Sequence, residues 1–184
     1  MRTVNFVTTN PNKLREANEI GVEYGISFNQ INEDYPELRS EDVMEVAIRK
    51  AEDAFKIVGE PLIVEDSGIF IDALGGFPGT ISAYAFKTLG MGGLLKLLEQ
   101  STDRSASMRT VIAYCDGENV TTFLGETKGR ISKEVKKAAG GFGYDPFFIP
   151  EDQNLTFAEN PEYKKIVSHR TRAFKKFCEW YQKQ

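Results

Sequence analysis

An α/β fold is predicted by three stretches of this sequence. The chain opens as strand, tight turn and helix: Val4 to Thr8 is a short β-prone run, Asn10 suits an N-cap, and Pro11 suits the first helical position. Leu14, Ala17 and Ile20 then recur at helical spacing. Residues 41–58 are strongly amphipathic, with Val43, Val46, Ala47, Ala51, Ala54 and Val58 on one stripe. Leu62-Ile63-Val64 comes next as a buried-strand run. Strands that alternate with helices in this way define the α/β class.

The remaining elements are read in chain order. Ile26 to Ile31 is a weak second strand. Gly59 and Pro61 end the long helix, and the strand after it is expected to stop at the carboxylate pair Glu65-Asp66. Gly75 to Gly79 reads as a loop, and Leu94 to Leu98 lies in a short helix. Thr110 to Tyr114 and Val120 to Gly125 read as strands around the turn Asp116-Gly117-Glu118. A glycine-rich segment at Gly140 to Gly143 precedes a last strand at Phe147 to Ile149. Phe174, Phe177, Cys178 and Tyr181 give a closing helix its apolar face. Without repeats, low-complexity segments or a long linker, residues 1–184 are expected to form a single domain.

Composition narrows the function classes. With 41% hydrophobic and 27% charged residues the chain reads as globular. A net charge of −4 leaves no electrostatic footprint for duplex nucleic acid or an anionic membrane. The two cysteines, Cys115 and Cys178, fit a reducing compartment, and neither has a second Cys or His at ligand spacing. The first residues lack the apolar length of a signal peptide, and no apolar run approaches the ~20 residues of a membrane helix. A cytoplasmic location is the expectation.

Five segments carry candidate chemistry, and each has a plainer alternative. Thr8, Thr9, Asn10 and Lys13 surround the first turn of a helix, where unpaired N–H groups and added donors suit phosphate. The same residues also fit an ordinary capped helix with a surface lysine. Lys50 falls inside the apolar stripe of its helix, between Val43 and Val46 on the wheel. It either reaches an anion-filled cleft or snorkels at the edge of the stripe. Glu65 and Asp66 come directly after a buried strand, where carboxylates need a positive partner, and they suit a Mg²⁺–triphosphate site. The alternative is a turn in which Asp66-Ser67 caps the next element. In Gly140-Gly141-Phe142-Gly143-Tyr144-Asp145, glycines permit close backbone approach and Phe142 or Tyr144 can stack on a planar base. Such loops also serve simply as turns with a core anchor. Lys164-Lys165-Ile166-Val167-Ser168-His169-Arg170 leads into the last helix. Ser168, the sole histidine His169 and Arg170 could read a carbonyl edge, or Ser168 could be an N-cap between solvated neighbours.

The identity and order of these segments are more specific than any one of them. TTNPNK, PEL, VEDSG, GGFPG, GGFGYDPFF and SHR, spread from Val4 to Phe177, resemble the inosine triphosphate pyrophosphatase family, also called Ham1-like. The resemblance implies a long, twisted mixed sheet with two lobes flanking a central cleft. It implies a homodimer, a Mg²⁺ requirement, and hydrolysis of ITP, dITP and XTP to the monophosphate and pyrophosphate. By the same resemblance Thr8, Thr9, Asn10, Lys13 and Lys50 bind phosphate, while Glu37, Glu65 and Asp66 are the acidic metal-binding and water-activating residues. Phe142, Asp145, Lys164, Ser168, His169 and Arg170 match the base-binding positions. Ile81 stands where many relatives carry tyrosine, and Pro161-Glu162-Tyr163-Lys164 replaces a common Glu-Glu-Lys run.

The expected chemistry is in-line attack of water on the α-phosphorus. Asp66 is the first candidate to activate the water and Glu65 the second, with Lys13 and Lys50 stabilising the leaving pyrophosphate.

Overall fold

The computed structural model describes residues 2–33, 40–136 and 141–184. The opening unit is β1 (Arg2–Val7), α1 (Pro11–Gly21) and β2 (Ile26–Ile31), with β1 and β2 parallel. Asn10 caps α1 through its side chain, and Pro11 takes the first helical position, where its missing N–H costs nothing. The amphipathic stretch forms α2 (Val43–Val58). It starts two residues later than the periodicity suggests because Asp42 is its cap, accepting the Met44 N–H at 2.8 Å. Gly59 ends it in the left-handed region at φ 72°, a conformation that favours glycine. The stripe buries Val43, Val46, Ala47, Ala51 and Ala54, while Val58 is only partly covered.

Next comes β3 (Leu62–Ile71), and here the structure differs from the sequence reading. The strand does not stop at Glu65-Asp66 but runs through them for ten residues. Both carboxylates are matched by cations, so the ladder has no reason to break. A two-residue strand, β4 (Pro78–Gly79), then pairs back on β3 inside the segment expected to be only a loop. Gly68 makes this crossing possible, since a Cβ there would lie 2.2 Å from the Gly79 carbonyl oxygen.

Two short helices come after it, α3 (Ser82–Thr88) and α4 (Gly90–Leu97), the first of them not predicted. β5 (Ser105–Cys115) and β6 (Val120–Ile131) are about twice as long as expected. The added residues of β5, Ser105 to Arg109, alternate polar with apolar, and those of β6, Glu126 to Arg130, are polar apart from Gly129, so neither extension carries a continuous hydrophobic signal. β7 (Phe148–Pro150), α5 (Pro161–Val167) and α6 (His169–Tyr181) complete the described chain.

Among the described residues the sheet has seven strands, in the order β2-β1-β3-β5-β6-β7 with β4 attached to β3. Parallel pairing at β1, β2 and β3 and antiparallel pairing beyond make it mixed, as expected. Successive residues of a strand face opposite sides, and β3 feeds three core clusters in this way. Ile63 joins Phe6, Phe28, Phe174 and Phe177 under α1 and α6. Leu62 and Val64 meet Val43, Ala47, Ala51 and Ala54 of α2. Beyond the acidic pair, Ile69 and Ile71 pack with Leu94, Leu98, Phe147 and Phe157. Glu65-Asp66-Ser67-Gly68 is thus a polar interruption in a strand anchored by apolar residues at both ends. No helix among the described residues is long and apolar enough to cross a membrane.

Candidate active site

A cleft of about 780 Å³ opens beside this polar interruption. Asn10, Lys13, Lys50, Asp66, Phe142, Asp145, His169 and Arg170 all line it, so eight of the residues singled out from sequence meet at one place. Thr8, Thr9, Glu65, Lys164 and Ser168 are not among its lining residues. Glu37 lies outside the described residues.

Adjacent positions on β3 send Glu65 and Asp66 to opposite faces of the sheet. The two therefore do not form one carboxylate clamp. Asp66 lies on the α2 side, where the Lys50 ammonium reaches its Oδ1 at 2.5 Å. The stripe position of Lys50 thus has a physical reason: the lysine crosses from the helix to a buried carboxylate. Asp66 Oδ2 is buried without a hydrogen-bond partner among the described residues. Burial raises the pKa of Asp66, and Lys50 and Lys13 pull it back only in part.

Glu65 faces α1 and α6 and is saturated. Arg170 donates to it from Nε at 3.3 Å and Nη2 at 3.2 Å, the Lys13 ammonium lies 3.3 Å from Oε2, and the Thr110 hydroxyl is 3.4 Å from Oε1. Burial would push its carboxyl upward, but Arg170 and then Lys13 outweigh burial and hold it at about 2.

Arg170 continues the chain of charge. Its Nη1 reaches Glu16 Oε2 at 2.8 Å, and Nη2 donates to Ser67 Oγ at 3.3 Å. Glu16 Oε1 accepts from the Lys164 ammonium at 2.7 Å, and Lys164 also meets Asp145 Oδ2 at 2.8 Å. Asp145 Oδ2 takes the Phe142 backbone N–H as well, fixing the aromatic loop. The Phe142 ring lies 4.6 Å from Lys164 Nζ and 5.3 Å from the Arg170 guanidinium carbon, within cation–π range.

Several sequence expectations need correction. The first turn of α1 is not a row of free N–H donors: the Asn10 side chain accepts from the Asn12 and Lys13 backbones. Thr8 Oγ1 is used locally, accepting from the Asn10 N–H, and Thr9 is exposed. Tyr144 is a core anchor. Its hydroxyl donates to the Ser82 carbonyl at 2.6 Å and its ring stacks on Phe147. Ser168 is the N-cap of α6, accepting the Thr171 N–H at 3.1 Å. Its neighbours are not solvated, for His169 and Arg170 are each 3% exposed. Close packing of α6 on β6 explains this. A Cβ on Gly125 would lie 2.0 Å from the His169 carbonyl oxygen, so only glycine lets the helix start there. His169 Nδ1 has no partner among the described residues. Burial first, and then Arg170 and Lys164, keep the imidazole neutral well below its ordinary pKa.

Sequence reasoning missed Glu16, Ser67 and the wall formed by Thr80, Ile81, Ser82, Tyr84 and Phe86. A signal for Glu16 existed: it stands one turn after Lys13, beside Ala17 on the face of α1 turned to the core.

Fold and site together define an α/β protein whose sheet carries a charged, aromatic-ended cleft at a mid-strand acidic pair. The chain belongs to the Ham1 family, whose model matches residues 4–180. It is 48% identical over 178 residues to a Methanopyrus kandleri protein named dITP/XTP pyrophosphatase, covering 96% of this chain and 94% of that one. A protein of the same name from Thermococcus kodakarensis is 44% identical, with 95% of each chain covered. Among solved structures, a HAM1 protein from Coxiella burnetii superposes with a TM-score of 0.86 at 30% identity, over 100% of both chains.

Proposed function

We propose that this protein hydrolyses non-standard purine nucleoside triphosphates (ITP, dITP and XTP) to the monophosphate and pyrophosphate. The observation that carries the reading is the lining of the cleft, which brings the Lys13 and Lys50 ammonium groups and the Asp66 carboxylate together with Phe142, Asp145 and His169. The names of the full-length relatives agree with it.

The donor set suits a hard cation on the Asp66 side. Asp66 Oδ2 is a buried oxygen without a partner among the described residues, and Mg²⁺ commonly takes one or two carboxylates plus waters and phosphate oxygens. Glu65 fits less well, because Arg170, Lys13 and Thr110 already occupy both its oxygens. Asp66 is therefore the residue that would hold Mg²⁺, and the bound ion would offset charge on the triphosphate.

In this reading water attacks the α-phosphorus in line, the bond from that phosphorus to the bridging oxygen breaks, and pyrophosphate leaves. Asp66 orients the attacking water, directly or through the waters of the bound ion, and accepts its proton. Lys13 and Lys50 stabilise the charge on the leaving group. At the other end a 6-oxopurine presents an acceptor where adenine presents an amino donor. Ser168 is spent on capping and Arg170 on Glu65 and Glu16, which leaves the unpartnered His169 Nδ1 as the group suited to donate to O6. A homodimer and a cytoplasmic location belong to the same reading.

The test is pyrophosphate release across a panel of standard and non-standard triphosphates, with Mg²⁺ and with EDTA. ITP, dITP and XTP turned over in preference to ATP, and only with the metal, is the expected result. Orthophosphate as the product, or no preference for 6-oxopurines, would overturn it.

A further inference from the structure

Two walls of the cleft come from distant parts of the chain. α2 contributes Val46 and Lys50, and the turn after β4 with the start of α3 contributes Thr80, Ile81 and Tyr84. Both walls lean on β3 but otherwise on different neighbours: α2 on β5 and β6, α3 on β4 and α4. The Thr80 hydroxyl crosses from one to the other and donates to the Ser40 carbonyl at 2.5 Å. No other hydrogen bond among the described residues links residues 40–45 to that turn.

Ser40 passes this tie on to the helix. Its hydroxyl accepts the Asp42 N–H at 3.2 Å and donates to Glu45 Oε2 at 2.6 Å, while Asp42 caps α2 through the Met44 N–H. The side chain of Ser40 is thus bound to the first turn of α2 and its carbonyl to the opposite wall. Val46 enters the cleft one turn after the cap and Lys50 one turn further on, so a shift of the cap carries both. Thr80 and Ser40 are only partly buried. Water can replace their bond, whose net worth is therefore modest and whose opening is reversible.

We propose that Thr80 is a positioning residue that latches the two walls together, holding the cap of α2, and with it Val46 and Lys50, at the separation that grips a bound nucleotide. This rests on reading the cleft as a triphosphate site. The bond exists only while the walls are close, so it favours that arrangement over a wider one and slows release of a ligand that spans them. Thr80 bonds to no base-reading group, and its effect should be the same whatever the base.

The test compares Thr80→Val, which keeps the shape without the donor, with Thr80→Ser, which keeps the donor. The first measurement needs no nucleotide. Amide hydrogen exchange at Met44 and Val46 should quicken about threefold or more in Thr80→Val, with Ile63 and Val64 of β3 unchanged and Thr80→Ser close to wild type. The second is binding, with Mg²⁺, of an ITP analogue whose α- and β-phosphorus are joined by an uncleavable methylene group. Its Kd should rise about three- to tenfold in Thr80→Val, mainly through faster release. kcat/KM for ITP and ATP should fall by the same factor, leaving the preference intact. Unchanged exchange at Met44 and Val46, unchanged affinity for the analogue, or an altered preference would overturn the latch. Faster exchange throughout the sheet would overturn it too, by making Thr80 a support of the whole fold. Should Thr80→Val not fold, Thr80→Ala removes the same donor and decides by the same measures. Wild-type protein that does not bind the analogue would instead sink the reading of the cleft, and the role of Thr80 with it.

Discussion

The two faces of β3 at the acidic pair solve the same electrostatic problem differently. On the α1/α6 face, Glu65 is completely enclosed and both its oxygens are occupied, chiefly by Arg170 and Lys13. On the α2 face, Asp66 has one oxygen on Lys50 and the other unpartnered among the described residues. Burial opposes ionisation of both, yet Glu65 is driven down to about 2 while Asp66 is left above its ordinary value. A saturated carboxylate supports structure, whereas one with an open oxygen and a raised pKa is available for chemistry. Sequence adjacency hides this division, and strand geometry creates it.

Asp66→Asn should give the largest effect on turnover. Removing a general base costs on the order of 10²–10⁴-fold, and the loss should come with little change in melting temperature, since burial already disfavours the charged form of Asp66. Activity within about threefold of wild type, less than ~1 kcal/mol of barrier, would erase the contrast between the faces.

Glu65→Gln should show the opposite profile. It strips Arg170 of its main counter-charge in the interior, and breaking such a pair costs roughly 3–5 kcal/mol. Denaturant unfolding at neutral pH measures this directly. A variant as stable as wild type but inactive would return Glu65 to the chemistry.

Acid should expose the same network. Glu65 and Glu16 are both held below their ordinary pKa: burial opposes this, and Arg170 outweighs it together with Lys13 at Glu65 and Lys164 at Glu16. Their contribution is complete above about pH 4.5 and is lost as the pH falls through the folded values. For Glu65, the drop from 4.5 to about 2 corresponds to about 3 kcal/mol. Asp66 and Asp145 are raised by burial and work in the other direction. Unfolding free energies measured between pH 6 and about pH 2 should therefore fall less steeply in Glu65→Gln than in wild type. Parallel curves would show that Glu65 is not linked to acid stability.

The smallest effect belongs to the base. His169→Phe keeps a ring of similar size and removes both nitrogens, leaving a buried acceptor of the substrate unpaired at about 1–3 kcal/mol. kcat/KM for ITP should fall about ten- to a hundredfold with ATP little changed. Equal losses would move O6 recognition to backbone groups of the 141–145 loop.

Much of this arrangement is legible in the sequence, for reasons that also mark where reading fails. The opening β1–α1 unit and α2 announce themselves by caps and period, because their signals are local. β3 reads short because Glu65-Asp66 looks like the end of a strand. The cations that permit it to continue, Lys50 and Arg170, lie 15 and 105 positions from Glu65. Carrying the two-residue period through the pair is enough to send the carboxylates apart. α3 gives no clean stripe, because its seven residues leave Tyr84 and Phe86 exposed. Lys13, Lys50, Asp66, Phe142 and His169 stand out in the sequence as residue types suited to a nucleotide cleft, and the fold brings them to one cleft. What each side chain binds, and above all that Arg170 and Ser168 are already committed, depends on tertiary partners that no local pattern encodes.

The unbroken pairing of β3 with β5, from Leu62 to Ile71, has a mechanical consequence. Asp66 rides on a long, continuously paired strand, a beam clamped by apolar packing at both ends. Any widening or narrowing of the cleft must then fall to the parts hung from that beam: α2 on one side, and the turn from Gly79 into α3 on the other. The Thr80 hydroxyl, 2.5 Å from the Ser40 carbonyl, already ties those two sides together. A nucleotide entering here would meet a fixed carboxylate and adjustable walls, so differences in substrate size would be absorbed by the walls while the reacting end stays in register.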